Sequence, residues 1–211
     1  GESLSDRVVV ARDTACSEYG ACVMSIKTLA FAIPEGASIP ERAPQAPQMG
    51  ESIPSHFKSC FGCGEEHETG LHMQMTAGVG LTIKGTFTVT SHHQGAPGLA
   101  HGGLLSAAID EVLGSLNWLL GDPAVTGRLE CEFRTPVPVG SILHIQAEIL
   151  GKERRKVYAV ATARLNSQDG PIAVVASAIF IQVTAEHFRR NGDRSAMKAA
   201  MPGSSDFEVN P

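Results

Sequence analysis

The sequence predicts an α+β fold in which an antiparallel sheet of five to six strands wraps around one long central helix. Three observations predict it: short segments where apolar and polar residues alternate, one apolar stretch of helical length, and turn residues between consecutive segments. Leu81, Ile83, Phe87 and Val89 alternate with Thr82, Lys84, Thr86, Thr88 and Thr90, as in a strand with one buried face. A helix follows over about 102–120, opening after Pro97 and Gly98 and carrying Leu104, Leu105, Ala107, Ala108, Ile109, Val112, Leu113, Leu116, Trp118 and Leu119. So many apolar positions leave no polar face, and the helix is expected to be buried all round. Leu129, Cys131 and Phe133 alternate with charged neighbours; Leu143, Ile145, Ala147 and Ile149 alternate with His144, Gln146 and Glu148. Residues 156–165 alternate as well, and 172–183 are apolar on both faces, as in a central strand. Turns are expected at 136–140 (Pro, Val, Pro, Val, Gly), at Gly151 and Lys152, and at 166–170.

The regular pattern fills residues 55–187, one domain. Residues 1–54 hold Pro34, Pro40, Pro44, Pro47 and Pro54 among polar residues and read as an extended, poorly packed arm, with one short strand at 7–11. Two starts are open: Gly1 as an added residue, or Met24 as the first natural one. Residues 188–211 read as a polar tail with at most a short helix at 194–201. A net charge of −5 argues against a protein that coats nucleic acid. The most apolar stretch, Leu104 to Leu120, carries Asp110 and Glu111 at its middle, so it is not expected to span a membrane. Five cysteines without a disulfide-scaffold spacing, and no signal-peptide pattern at the start, suggest reduced thiols in the cytoplasm.

The chemistry is expected between Gln94 and Glu111. Gly102 and Gly103 open the helix. The first turn of a helix leaves backbone N–H groups without partners and carries partial positive charge, and residues without side chains let an oxygen approach: an oxyanion hole. Asp110 lies in the middle of an apolar helix, where a carboxylate is costly unless it is paired or used, and where desolvation makes it more basic. Gly103 and Asp110 are seven residues apart, or about 10 Å along the axis. One helix therefore cannot offer both groups to the same carbonyl. A second copy packed antiparallel can, which predicts a homodimer with two shared sites and leaves a tetramer open.

His101-Gly102-Gly103 with Asp110 nine residues after the histidine resembles the PaaI- and THEM4-type acyl-CoA thioesterases of the hotdog superfamily. Cys60-Phe-Gly-Cys63-Gly with Gly70 and Leu71, Gln94-Gly95, and the run from Thr126 through Leu129 and Phe133 to Pro136 and Val137 extend the resemblance over about 56–185. It implies a hotdog fold and hydrolysis of a fatty or aryl acyl-CoA. Asp110 would be general base or nucleophile. Gly102 and Gly103 would hold the oxyanion, and His101 would shape that turn. Gln94 would contact the reacting centre, and Thr126 would position water. No metal or cofactor is implied.

Each signal has a plainer reading. His101 can simply cap the helix, Thr126 can be a β-former, and Asp110 a structural acid. Glu111, about 100° round the helix, is an alternative base. Cys60, Cys63, His67 and His72 lie within thirteen residues, but that spacing lacks the insert between ligand pairs that zinc fingers use, so zinc is not expected. Lys152, Arg154, Arg155 and Lys156 are either a solvated turn or, with Arg134, the binding site for the phosphates of coenzyme A. The rival functions are a non-catalytic acyl-CoA-binding or sensing protein, and a scaffold that works through the arm.

Overall fold

The computed structural model describes residues 32–193, so the strand expected at 7–11 and the helix expected at 194–201 lie outside the described residues. Six strands, β1 (Gln74–Ala77), β2 (Thr82–Thr88), β5 (Ala124–Phe133), β6 (Ile142–Glu153), β7 (Lys156–Leu165) and β8 (Ile172–Gln182), form one antiparallel sheet in the order β1-β2-β6-β7-β8-β5. The two-stranded hairpin of β3 (Gln94–Ala96) and β4 (Leu99–Ala100) leads into the central helix α1 (Gly102–Ser115). A short helix α2 (Ala185–Asn191) follows the last strand and straddles the boundary expected between domain and tail at 187–188.

The sheet curls around α1, which touches β2, β5, β6, β7 and β8. Its buried stripe of Leu105, Ala108, Ile109, Val112 and Leu113 meets Phe87, Ile145, Ala161, Val174 and Phe180 in one continuous core. Burying a Leu or Ile side chain contributes about 1.5–3 kcal/mol, so this stripe holds the helix in place. Gly85 of β2 lets the helix come close: a β-carbon there would lie 2.7 Å from Val112 Cγ2. After Ser115 the helix tightens into a 3₁₀ turn (Leu116–Leu119) and ends at Gly121, whose φ of 74° suits only a residue without a side chain.

Two expectations change. The helix is not buried all round in the single chain: Gly102 and Gly103 are exposed, and Leu104, Ser106, Ala107, Asp110 and Glu111 only half-buried. Among the described residues, the sheet closes over one side and stops at β5, which pairs only with β8 and leaves its other edge open for ten residues. The arm is extended, but residues 32–54 are fixed to the domain rather than loose. Ala37, Ala46 and Ile53 are buried, Ser38 bridges to Lys152 and Ser52 to Thr76. Arg42 donates to the carbonyls of Gly78 (3.1 Å), Gly80 (2.7 Å) and Pro47. Small apolar side chains and one multiply bonded guanidinium hold a segment that its proline content alone suggests is free. Among the described residues, no helix is long and apolar enough to cross a membrane.

Candidate active site

Asp110 sits on the half-open face of α1, and its carboxylate accepts a hydrogen bond from Thr126 Oγ1 at 3.0 Å. The contact depends on a bulge in β5. Thr126 pairs with Phe180 and Arg128 with Ile179, so Gly127 is an extra residue. Cross-strand partners point to the same face, so the bulge places Thr126 on the helix side together with Phe180. A β-carbon on Gly127 would lie 2.9 Å from Ile181 Cγ1, which favours glycine at the bulge. Burial pushes the Asp110 carboxyl above the ordinary aspartate range, and the Thr126 hydroxyl partly opposes this by bonding the charged form. Cys131 lines the same face, its thiol raised by burial and by the nearby Asp110 charge.

The helix start is built by the preceding hairpin. His101 is the N-cap, and its Nδ1 accepts the Gly103 N–H at 2.9 Å. The capping role weighed for His101 is therefore present, and it occupies one of the two N–H groups assigned to an oxyanion. Gly102 is exposed and its N–H has no acceptor among the described residues. Gly95 admits this arrangement, since a β-carbon on it would meet His101 Cα at 2.7 Å. Gln94 uses its side chain locally: Nε2 donates to the Ser91 carbonyl (3.1 Å), and Oε1 accepts the Gly98 N–H (2.8 Å). It holds the loop beside the helix start.

His93 anchors that loop from below. It is buried, packs on Phe87 with ring centroids 5.0 Å apart, accepts the Thr90 N–H at Nδ1 (2.9 Å), and accepts the His101 N–H at its carbonyl (2.8 Å). Burial, then the neighbouring His92 and His72, hold its pKa below the ordinary 6.5. The unfolded chain therefore takes up a proton at this residue before the folded chain does. Stability is expected to fall as pH drops through 6.5 toward the folded value and to level off below it. Thermal melting between pH 7.5 and 5.5 checks this: His93→Asn, which keeps an acceptor near Nδ1, should flatten the slope. Equal slopes in both proteins would rule His93 out as its source.

The other predicted residues separate into groups. Glu111 points away from Thr126 and meets Cys60 (3.6 Å) and His56 (3.8 Å), so it is not placed as a second base beside Asp110. His67 packs edge-on against Phe61, and His72 takes a left-handed φ of 49°; neither joins Cys60 and Cys63. Arg134 donates to Glu132 at 3.0 and 3.2 Å. Arg154 and Arg155 form the β6–β7 turn next to Lys156, and Lys152 Nζ lies 4.0 Å from Asp122. That turn leaves the sheet at the end where Thr126 sits, because Val157 and Thr126 both pair with Phe180. Arg134 is at the opposite end of β5, following Phe133, whose ring would lie 3.7 Å from a β-carbon on Gly102.

Comparison with known proteins adds the family. Residues 97–177 match the family model described as Thioesterase superfamily. Over 93 residues the chain is 31% identical to acyl-coenzyme A thioesterase THEM5 of Mus musculus, covering 44% of this chain and 37% of that protein. It is 32% identical to acyl-coenzyme A thioesterase THEM4 of Bos taurus over 93 residues, covering 44% and 38%. The match thus spans well under half the length of either relative. Two solved structures share the fold: thioesterase superfamily protein RHA08564 (TM-score 0.55, 24% identity, 65% of this chain and 70% of that one) and the E. coli PaaI protein (TM-score 0.50, 17% identity, 54% and 81%). Residues 97–177 are thus similar to the thioesterase superfamily, the chain shares the hotdog fold of these structures, and the resemblance to PaaI- and THEM4-type proteins read from its motifs is borne out as a resemblance.

Proposed function

We propose that the protein hydrolyses acyl-CoA thioesters, with Asp110 as general base or nucleophile. The observation that carries this is a carboxylate made more basic by burial, oriented by Thr126, on a helix face that the single chain leaves half open. In the general-base path, water held near Thr126 attacks the thioester carbon and gives its proton to Asp110. The tetrahedral oxyanion is held by the N–H groups of Gly102 and Gly103 from a second copy, with the oxyanion displacing His101 from Gly103. The C–S bond then breaks, coenzyme A leaves as its thiolate with little need of acid help, and the proton held by Asp110 passes to that thiolate, which restores the base.

The geometry supports a shared site. Gly103 and Asp110 lie along one helix, and Ser106 and Ala107 lie midway between them on its half-open face. A two-fold axis near that midpoint sets each Asp110 against the other copy's helix start and runs the two open β5 edges together. The same operation brings Arg134 of the second copy toward the turn carrying Arg154, Arg155 and Lys156, which gathers the basic groups proposed to hold the coenzyme A phosphates. The substrate is a fatty or aryl acyl-CoA, the reaction uses no cofactor, and the expected compartment is the cytoplasm. Thiol release from a panel of acyl-CoAs tests the reading. Turnover above background on at least one is expected; tight binding to the panel with no thiol release would make the protein an acyl-CoA sensor instead.

Arg154 offers a separate check. Its φ of 54° is left-handed, which costs a non-glycine residue about 1 kcal/mol. Arg154→Gly should raise the melting temperature while raising KM for acyl-CoA several-fold at unchanged kcat, with the KM difference shrinking in high salt. An unchanged KM would reduce this turn to a solvated charge cluster.

A further inference from the structure

We propose that His56, Cys60, Cys63 and Glu111 form a four-ligand zinc site that fastens the segment before β1 to the central helix. One ligand atom from each of the four lies within 4.8 Å of all the others. The closer pairs are Cys63 Sγ to His56 Nδ1 at 3.3 Å, Cys60 Sγ to Glu111 Oε2 at 3.6 Å, and His56 Nδ1 to Glu111 Oε1 at 3.8 Å. Zinc bonds of about 2.0–2.3 Å arranged tetrahedrally put neighbouring ligand atoms roughly 3.3–3.8 Å apart. Three of the six edges of that tetrahedron are already close to these lengths, two of them through different oxygens of Glu111, and one ligand atom from each residue lies within 4.8 Å of the others. Two thiolates, an imidazole and a carboxylate are also a donor set that zinc accepts, and soft sulfur ligands disfavour magnesium and calcium.

The local backbone is shaped for the same purpose. The Gly62 N–H donates to Cys60 Sγ at 3.3 Å, and the Gly64 N–H donates to the Cys60 carbonyl at 2.9 Å, a tight turn that carries both thiols to one side. Gly64 has no room for a side chain, since a β-carbon would lie 2.3 Å from the Lys58 carbonyl oxygen. At Gly62 a β-carbon would lie 2.2 Å from Glu111 Oε2, so glycine there admits the carboxylate. Ser55 Oγ lies 3.4 Å from Cys63 Sγ and can orient it from outside the cluster. A redox pair of cysteines could use the imidazole to favour a thiolate but not the carboxylate, whose charge opposes one, and Glu111 reaches the Cys-x-x-Cys turn from a different element. With all four positions filled by protein, the ion would be structural and would leave no open site for substrate. The site stands whether or not the protein hydrolyses thioesters.

Metal content of the untagged full chain, grown with added zinc and dialysed under reducing conditions, tests the assignment. About one zinc per chain is expected. Removal by a chelator should lower the melting temperature, and Co²⁺ added to the stripped protein should give thiolate-to-cobalt charge-transfer absorption with the intense visible bands of a tetrahedral ion. Cys60→Ser with Cys63→Ser should abolish both the zinc and the charge-transfer band. Gly62→Ala, which pushes Glu111 aside, should keep the band and weaken Co²⁺ binding about tenfold or more. Wild-type protein that holds no zinc and gives no charge-transfer band with Co²⁺ overturns the proposal. So does a mass two hydrogens lighter in metal-free protein isolated without reductant, if peptide mapping places it on the Cys60–Cys63 peptide and it persists in zinc; that would mark a Cys60–Cys63 disulfide. Because the wild-type spectrum decides by itself, a serine variant that fails to fold does not rescue the idea.

Discussion

Asp110→Asn is expected to reduce acyl-CoA hydrolysis by about 10²–10⁴-fold, the range lost when a general base is removed, while leaving the fold intact. Asparagine has nearly the shape of aspartate and keeps an oxygen to accept the Thr126 hydrogen bond. It also removes a charge that burial disfavours, so the melting temperature should be unchanged or higher. Loss of activity with undiminished stability is what separates a functional acid from a structural one: a structural Asp110 would cost stability and leave turnover alone. Thr126→Val provides the graded comparison. It deletes one hydrogen bond to a charged group, worth about 1.5–3 kcal/mol, so its loss should be smaller than that of Asp110→Asn. Full thiol release by Asp110→Asn would remove this residue from the mechanism.

What was legible in the sequence followed the strength of local patterns. The strands β7 and β8 and the helix start at Gly102 could be placed closely because alternation and the two glycines mark them without help from the rest of the chain. The two- to four-residue strands β1, β3 and β4 are too short to show a period. The bulge at Gly127 is a relation between β5 and β8, so the direction of the Thr126 side chain could not be read from β5 alone. Distance along the chain hid the cluster at Cys60. Its nearby histidines, His67 and His72, suggested a ligand set by spacing, whereas the structure selects His56 and, from the helix fifty-one residues beyond Cys60, Glu111. The half-open helix face was missed for a related reason. Hydrophobicity says that a surface will be covered, but not whether the cover is the same chain or another one.

That distinction sets the second large effect, recovery of activity by mixing two inactive chains. Gly102→Val should be inactive because its side chain fills the space through which an oxyanion reaches the helix start. It should still fold, since the first β-carbon there meets nothing closer than Phe133 at 3.7 Å. Asp110→Asn is inactive for the other half of the site. If each site draws its base from one copy and its amides from the other, a dimer of unlike chains holds one site with both defects and one with neither. Random pairing makes half of the dimers mixed, so co-expression of the two variants in equal amounts should restore about a quarter of wild-type turnover. Affinity purification with a different tag on each chain should raise this to about half. No activity above that of the two single variants, in a preparation shown to contain mixed dimers, would place Asp110 and the Gly102 amide in separate sites. In a single chain the helix itself keeps the two about 12 Å apart at ~1.5 Å per residue, so such a result would also require the oxyanion to be held by groups other than the helix start.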